Sequence, residues 1–397
     1  MSDSIQSARL AAVPSSPSIA AAQRARDLKA AGADLISVTI GEPDFATPPE
    51  VIEAAYAAAR RGETRYTPVP GTLELRQAAA DKFRTENSLN YDPRNEIIVG
   101  NGAKQLIYGA LTATLDPGDE VIIFAPYWVS YPTIAQLAGA VPVIVPTQPQ
   151  HGFFPTAEAL EAAITERTRW VVLNYPNNPT GAIASHAQLA AFAEVLRRHP
   201  RILVLSDEIY EHIRFDGLPF ASFGAFEDLR ERSLLLNGVS KAYAMTGWRI
   251  GYGAGPRALI AAMSKLQSHT TGGACAISQA AAVAALRMGA ELPRQRSDVY
   301  ERRRNLVLER LGASPLIELF RPSGAFYVFA RPRGRAAQRA DTLDVHLLAH
   351  GVAVIGGAGF GMPDWFRMSI ATSDDLLATA CDRILAGLQA CESSTSD

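Results

Sequence analysis

Four short stretches of this sequence place reactive side chains directly after apolar runs. Residues 234–236 are all leucine, and Asn237-Gly238-Val239-Ser240-Lys241 follows. A lysine this close to a core strand is unexpected, because burial desolvates its ammonium and lowers its pKa, as an imine-forming amine requires. The run 202–205 leads into Ser206-Asp207-Glu208-Ile209-Tyr210. An Asp at a strand end commonly caps the next helix, so Asp207 alone reads as structural. The run 170–173 leads into Asn174-Tyr175-Pro176-Asn177-Asn178-Pro179-Thr180-Gly181, a loop by its prolines and glycine. Asn178 could simply close that turn with its own side chain. The run 97–99 leads into Gly100-Asn101-Gly102-Ala103-Lys104 and a helical pattern. Small residues there let backbone N–H groups approach an anion at a helix start, although many such turns only pack.

The elements that must position these residues follow from the same runs. Residues 97–99, 121–124, 141–145, 170–173, 202–205 and 234–236 are short apolar segments separated by helical stretches. That alternation predicts a parallel sheet buried on both faces, and ligands of such sheets sit at the carboxyl edge of the strands. Before it, a helix is expected over residues 19–30 and a strand over 35–40; residues 272–286 read as a buried helix. The last third changes character, with strands expected over 324–329, 352–355 and 366–370 and a helix over 376–388. Arg302-Arg303-Arg304 reads as a solvated helix face.

Composition bounds the remaining possibilities. At 397 residues the chain exceeds what one core usually organises, so two domains are expected. Thirty-eight basic against 40 acidic residues give no electrostatic reason for binding nucleic acid or an anionic membrane. No stretch is apolar enough to span a bilayer. Cys275, Cys381 and Cys391 are odd in number and far apart, which suits free thiols. The histidines lack metal-ligand spacing, so no metal is expected. The start of the chain lacks the apolar core of a signal peptide, and the cytoplasm is the expected location.

Together, Asn178, Asp207, Tyr210, Lys241 and Arg249, in this order and with these neighbours, resemble the class I family of pyridoxal-phosphate-dependent aminotransferases. The resemblance extends to Gly41-Glu42-Pro43-Asp44-Phe45, Tyr66 before Pro70-Gly71, Pro126-Tyr127-Trp128, Gly324-Ala325-Phe326-Tyr327 and Arg367. It covers roughly residues 14 to 390. It implies an α/β fold: a large domain on a central, mostly parallel seven-stranded sheet between helices, plus a smaller α/β domain formed by both chain ends. The division expected is an arm over 1–16, a small domain from 17–45 and 290–397, and a large cofactor-binding domain over 46–289.

The resemblance also implies roles. Lys241 would hold pyridoxal 5'-phosphate as an imine and then move the substrate proton, and Asp207 would face the ring nitrogen. Tyr210 and Asn178 would bond the ring's phenolic oxygen, and Trp128 would stack on the ring. Arg249, Gly102 and Ala103 would hold the phosphate, with Tyr66 of a second subunit, so a homodimer with shared sites is implied. Arg367, Asn178 and the Gly41 backbone would clamp the α-carboxylate of an amino acid.

Substrate choice rests on fewer residues. Lys265-Leu266-Gln267-Ser268-His269-Thr270-Thr271 lacks the arginine with which many aspartate aminotransferases clamp a side-chain carboxylate. Lys104, however, matches a bacterial subgroup in which a lysine meets that carboxylate, and some of its members also accept prephenate. A lysine in a first helical turn opposes the helix dipole, which favours an anionic partner nearby. The expectation is transamination between L-aspartate and 2-oxoglutarate by a ping-pong mechanism. The alternatives are an aromatic, broad or prephenate aminotransferase, or a pyridoxal-phosphate C–S lyase that uses the same lysine. Sensor modules of transcription regulators also share this scaffold, but they carry a DNA-binding segment for which no room is expected before Ile19.

Overall fold

The computed structural model of the protein describes residues 5–15 and 17–393. Its strands are, in chain order, β1 Ile36–Ser37, β2 Ile97–Asn101, β3 Glu120–Ala125, β4 Val141–Pro146, β5 Thr168–Asn174, β6 Leu203–Asp207, β7 Ser233–Gly238, β8 Ile250–Ala254, β9 Ile317–Phe320, β10 Tyr327–Pro332, β11 Val352–Ala353, β12 Ile355–Gly356 and β13 Phe366–Ser369. A seven-stranded sheet runs β2-β8-β7-β6-β5-β3-β4. β8 is antiparallel to both neighbours, and the remaining pairs are parallel. The fold is therefore the α/β architecture expected, with helices covering a mostly parallel sheet.

Alternate residues of the apolar runs feed two cores on opposite sheet faces. Ile97, Val99, Ile122, Phe124, Val171, Leu173, Val204 and Leu235 join one cluster. Ile98, Val121, Ile123, Trp170, Val172, Leu205, Leu234 and Leu236 join the other. Burial on both faces is why these strands read as unbroken apolar runs. β4 departs from that pattern. It is one of the two edge strands, and Val141 and Ile144 are exposed. Pro142 and Pro146 are tolerated there because an edge strand has a side without ladder bonds.

A second, antiparallel sheet runs β12-β13-β10-β9, and β1 pairs with β11 in parallel. The expected strand over 35–40 is thus only two residues long. A third cluster, including Val307, Phe326, Val328, Val352, Phe366, Met368 and Ile384, also takes in Tyr210, Ile213 and Phe215. Ala8–Ala11 forms a short exposed helix capped by Ser7, whereas residues 1–4 and 16 of the expected arm lie outside the described residues. The helix expected from residue 19 starts earlier, at Pro17, and ends at Ala30 as expected. The helix expected over 272–286 spans Ala276–Arg287, since Gly272 sits at positive φ and ends the preceding turn. None of the helices among the described residues is long and apolar enough to cross a membrane.

The arginine run is not a solvated face. On helix Glu291–Gly312, Arg302 is exposed, but Arg303 and Arg304 are buried. Arg304 makes a bidentate pair with Asp216 at 2.8 Å and donates to the Pro322 carbonyl at 2.9 Å. Arg303 holds Asp44 at 2.9 and 2.8 Å. Long stems with planar forks let arginine serve inside a protein where carboxylates and carbonyls wait for it. Arg304→Ala, which leaves a cavity and an unpaired carbonyl, is expected to cost about 2–5 kcal/mol in urea unfolding. Arg302→Ala is expected to cost less than about 1 kcal/mol. Equal losses in the two variants would contradict the assignment.

Candidate active site

The carboxyl ends of β2, β3, β5, β6 and β7 converge on a cavity of about 500 Å³. Its lining includes Gly41, Gly102, Ala103, Lys104, Trp128, Asn178, Asp207, Tyr210, Lys241, Arg249 and Arg367. Tyr66 is the one residue expected at the site that is absent from this wall; it is fully exposed at 106 %.

Lys241 borders the cavity just beyond β7, and its Nζ donates to the Gly41 carbonyl at 2.6 Å. The side chain as a whole is half-buried and lines the cavity. Desolvation there lowers the amine to about 8, and the nearby Arg367 and Arg249 charges act in the same direction against the opposing pull of Glu42. Asp207, the last residue of β6, shifts the other way. Burial raises its carboxyl to about 6, although the Tyr131 hydroxyl, donating to Oδ2 at 2.7 Å, favours the ionised form. Its Oδ1 accepts from the Ile209 N–H at 3.3 Å, and a turn follows instead of a helix. The helix-cap role is therefore not what Asp207 does.

Asn178 is likewise released from turn duty. Asn177 closes that loop, accepting from the Thr180 N–H and hydroxyl at 3.0 and 2.8 Å. The Asn178 Oδ1 instead accepts from Arg367 Nη1 at 2.9 Å. Arg367 Nη2 donates to the Thr39 carbonyl at 2.7 Å, and its Cζ lies over the rings of Tyr327 at 4.3 Å and Phe360 at 5.2 Å. Its Nε has no hydrogen-bond partner, and among the described residues no carboxylate pairs with it. A guanidinium that is 3 % exposed and lacks a counter-ion is set to receive an anion.

A second anion position is built at the start of helix Ala103–Thr114. Gly102 precedes it at φ +82° with no side-chain cap, and a Cβ there would lie 2.5 Å from Arg249 Nη2. Only glycine allows this approach. Arg249 itself is held by the Thr246 carbonyl at 2.8 Å and the Asn101 carbonyl at 3.3 Å. Ser240 and Thr246 add hydroxyl-bearing side chains to the same wall. Lys104 stands over the Trp128 ring at 4.7 Å, with its pKa lowered by burial and by Arg249. It has no carboxylate partner among the described residues.

Three contributors were given no role from sequence, although Asn174 and Tyr327 lie in stretches quoted there. Tyr131 bonds Asp207, Asn174 Nδ2 donates to the Asp207 carbonyl at 3.0 Å, and the Tyr327 hydroxyl lies 2.8 Å from that of Tyr210. Tyr131 falls in the first turn of helix Ser130–Leu137, three residues past Trp128, and that spacing to a recognised aromatic was its only signal. Away from the cavity, Glu86, Glu211 and His212 bring ligand atoms within 4.8 Å of one another despite the scattered histidine spacing. Lys82 already pairs with Glu211 and lies 3.7 Å from Glu86, so an ammonium fills that cation position.

Comparison with known proteins agrees with this geometry. The sequence model of aminotransferase class I and II matches residues 33–384. An aspartate/prephenate aminotransferase of Cereibacter sphaeroides is 47 % identical over 388 residues, 95 % of this chain and 97 % of the relative. An aspartate aminotransferase of Rhizobium meliloti is 46 % identical over 380 residues, 91 % of this chain and 92 % of the relative. A crystal structure of the aspartate aminotransferase from Rhizobium meliloti superposes with a TM-score of 0.93 at 44 % identity, covering 97 % of this chain and 98 % of that one. The aspartate aminotransferase of Thermus thermophilus with maleate gives 0.89 at 42 % identity, covering 96 % and 99 %. A lysine amine and an aspartate kept from water at one sheet edge, between two anion positions, are thus features of a chain that belongs to the class I and II aminotransferase family.

Proposed function

We propose that the protein transfers the amino group of L-aspartate to 2-oxoglutarate, using pyridoxal 5'-phosphate held at this cavity. The observation that carries the reading is the Lys241 amine, lowered to about 8, in a cavity that also holds buried Asp207 and unpaired Arg367. The donor set suits that cofactor. Gly102, Ala103, Ser240 and Arg249 would hold its phosphate at the uncapped helix start. Asp207 would face the ring nitrogen, Tyr210 and Asn178 the phenolic oxygen, and Trp128 a ring face. When bound, the ring accepts the electron pair released at the substrate α-carbon.

The chain's own residues do the rest. Lys241, in its neutral form, would hold the cofactor through its amine and, when free of it, would be the base placed to move the substrate α-proton. Arg367 grips the α-carboxylate through two N–H donors, which fixes the Cα–H bond relative to Lys241. Asp207, supported by Tyr131, keeps a negative charge where the ring needs a cation stabilised. The second oxo acid uses the same residues in reverse, giving ping-pong kinetics.

Lys104 supplies the preference for a second carboxylate. It lines the cavity, is desolvated and lacks a counter-ion, and the Thermus relative is described with maleate, a dicarboxylate. Prephenate, named for the Cereibacter relative, carries two carboxylates that could meet the same pair of cations. Tyr66, with the exposed Tyr56, Ile52 and Leu73 in the same part of the chain, fits a homodimer in which Tyr66 reaches the partner's phosphate. The division into residues 46–289 as cofactor-binding domain, with 17–45 and 290–397 as a smaller one, belongs to this reading, as does a cytoplasmic location.

The amine of Lys241 in cofactor-free protein is expected to gain reactivity toward an aldehyde with a midpoint near pH 8, because the neutral fraction grows as pH rises through that value. A midpoint above 10 would contradict the desolvation argument. Asp207→Ala is expected to keep bound cofactor yet lose most turnover. Lys104→Ala is expected to lower kcat/KM for aspartate roughly 10- to 150-fold, the range for one charge-assisted contact, while alanine and phenylalanine change little. If every donor falls equally, Lys104 serves the phosphate and not the substrate.

A further inference from the structure

Tyr327 opens β10, where it pairs in register with Ser369 of β13, and its side chain is 1 % exposed. It touches three parts of the site at once. Its hydroxyl lies 2.8 Å from the Tyr210 hydroxyl. Its ring face supports the Arg367 guanidinium at 4.3 Å. Gly41, whose carbonyl receives Lys241 Nζ, packs so closely that a Cβ there would come within 2.6 Å of the Tyr327 oxygen.

The two phenols hold two protons between them. Neither hydroxyl has another hydrogen-bond partner among the described residues, so one proton lies between the oxygens and the other points away. Burial raises the pKa of both, and both remain neutral. The Arg367 guanidinium lies over the Tyr327 ring at 4.3 Å, and a cation held against that ring makes its phenol the more acidic and the better donor of the two. Its proton then belongs between the oxygens, and the Tyr210 proton is left for an acceptor in the cavity.

We infer that Tyr327 is a positioning residue that donates to Tyr210 and thereby aims the Tyr210 proton at the cofactor's phenolic oxygen, while its ring separately steadies Arg367. This rests on the function proposed above. A phenol that accepts one hydrogen bond donates the next more strongly. Stronger donation to the phenolic oxygen draws off charge that would otherwise hold the proton on the lysine–cofactor linkage. Loss of the Tyr327 hydroxyl therefore makes that linkage easier to protonate.

The test uses the cofactor-loaded protein and its visible absorbance against pH. Tyr327→Phe keeps the ring and removes the hydroxyl. Its absorbance midpoint is expected to move up by about 0.4–1 pH unit, with kcat falling about 2- to 10-fold and KM for the amino acid within about twofold of the parent. Tyr327→Leu, which also removes the ring face, is expected to raise KM for all amino acids through Arg367. The double variant Tyr210→Phe with Tyr327→Phe is expected to titrate like Tyr210→Phe alone, because the hydroxyl acts only through Tyr210. An unmoved midpoint in Tyr327→Phe, or fully additive shifts in the double variant, overturns the inference. A parent protein that takes up no pyridoxal 5'-phosphate overturns the proposed function and this inference with it, whereas a parent with an ordinary titrating band leaves the inference to stand or fall alone.

Discussion

Desolvation outweighs attraction at the centre of this protein, and much of the site follows from that imbalance. Were Lys241 and Asp207 a simple ion pair, the lysine would titrate above its ordinary range and the aspartate below. Each shifts the opposite way, to about 8 and about 6, because burial costs each charge more than the other returns. Shifts of this size correspond to roughly 3 kcal/mol per group. Arg367 is buried in the same cavity, with no carboxylate partner among the described residues and its Nε unbonded, so a third charge bears a similar penalty there.

Holding those groups apart and dry requires stiff supports on both sides. The strands of one sheet fix Asp207 and Lys241 through their carboxyl ends, and the segment from Gly41 to Thr47 covers them from the other side. Arg296 braces the two together, donating to the Ala242 carbonyl at 3.1 Å and the Ala46 carbonyl at 2.7 Å. Thr47 adds a bond to the Ala244 carbonyl at 2.8 Å and accepts from the Trp248 ring at 3.1 Å. Arg303, through Asp44, ties the same segment to helix Glu291–Gly312. The buried arginines are thus the link between the helix that carries them and the loop that receives the Lys241 amine.

What could be read from sequence follows from what leaves a local mark. The buried parallel strands showed as apolar runs, and Lys241 stood out because a cation rarely follows such a run. β8 was hidden, since Ile250-Gly251-Tyr252-Gly253-Ala254 has a turn-like glycine content. Those glycines admit close neighbours: a Cβ on Gly251 would strike the Ala103 nitrogen. Arg303 and Arg304 looked solvated because their partners, Asp44 and Asp216, are distant in sequence. Tyr131 carried no mark of function, and Tyr327 was marked only as part of a stretch that carries the resemblance, since a tyrosine on a helix or strand is ordinary until its hydroxyl finds Asp207 or Tyr210. Residue type alone does not separate Asn177 from Asn178; the resemblance marked Asn178, and the structure gives the reason, since the loop uses Asn177 for its own turn.

The most direct test of this account is borohydride reduction of the cofactor-loaded protein followed by peptide mapping. A desolvated amine at Lys241, lowered to about 8, predicts one pyridoxyl group per chain, on Lys241 and displaced by prior addition of aspartate. Label on another lysine, Lys104 above all, or a loaded protein with no reducible linkage, would contradict it.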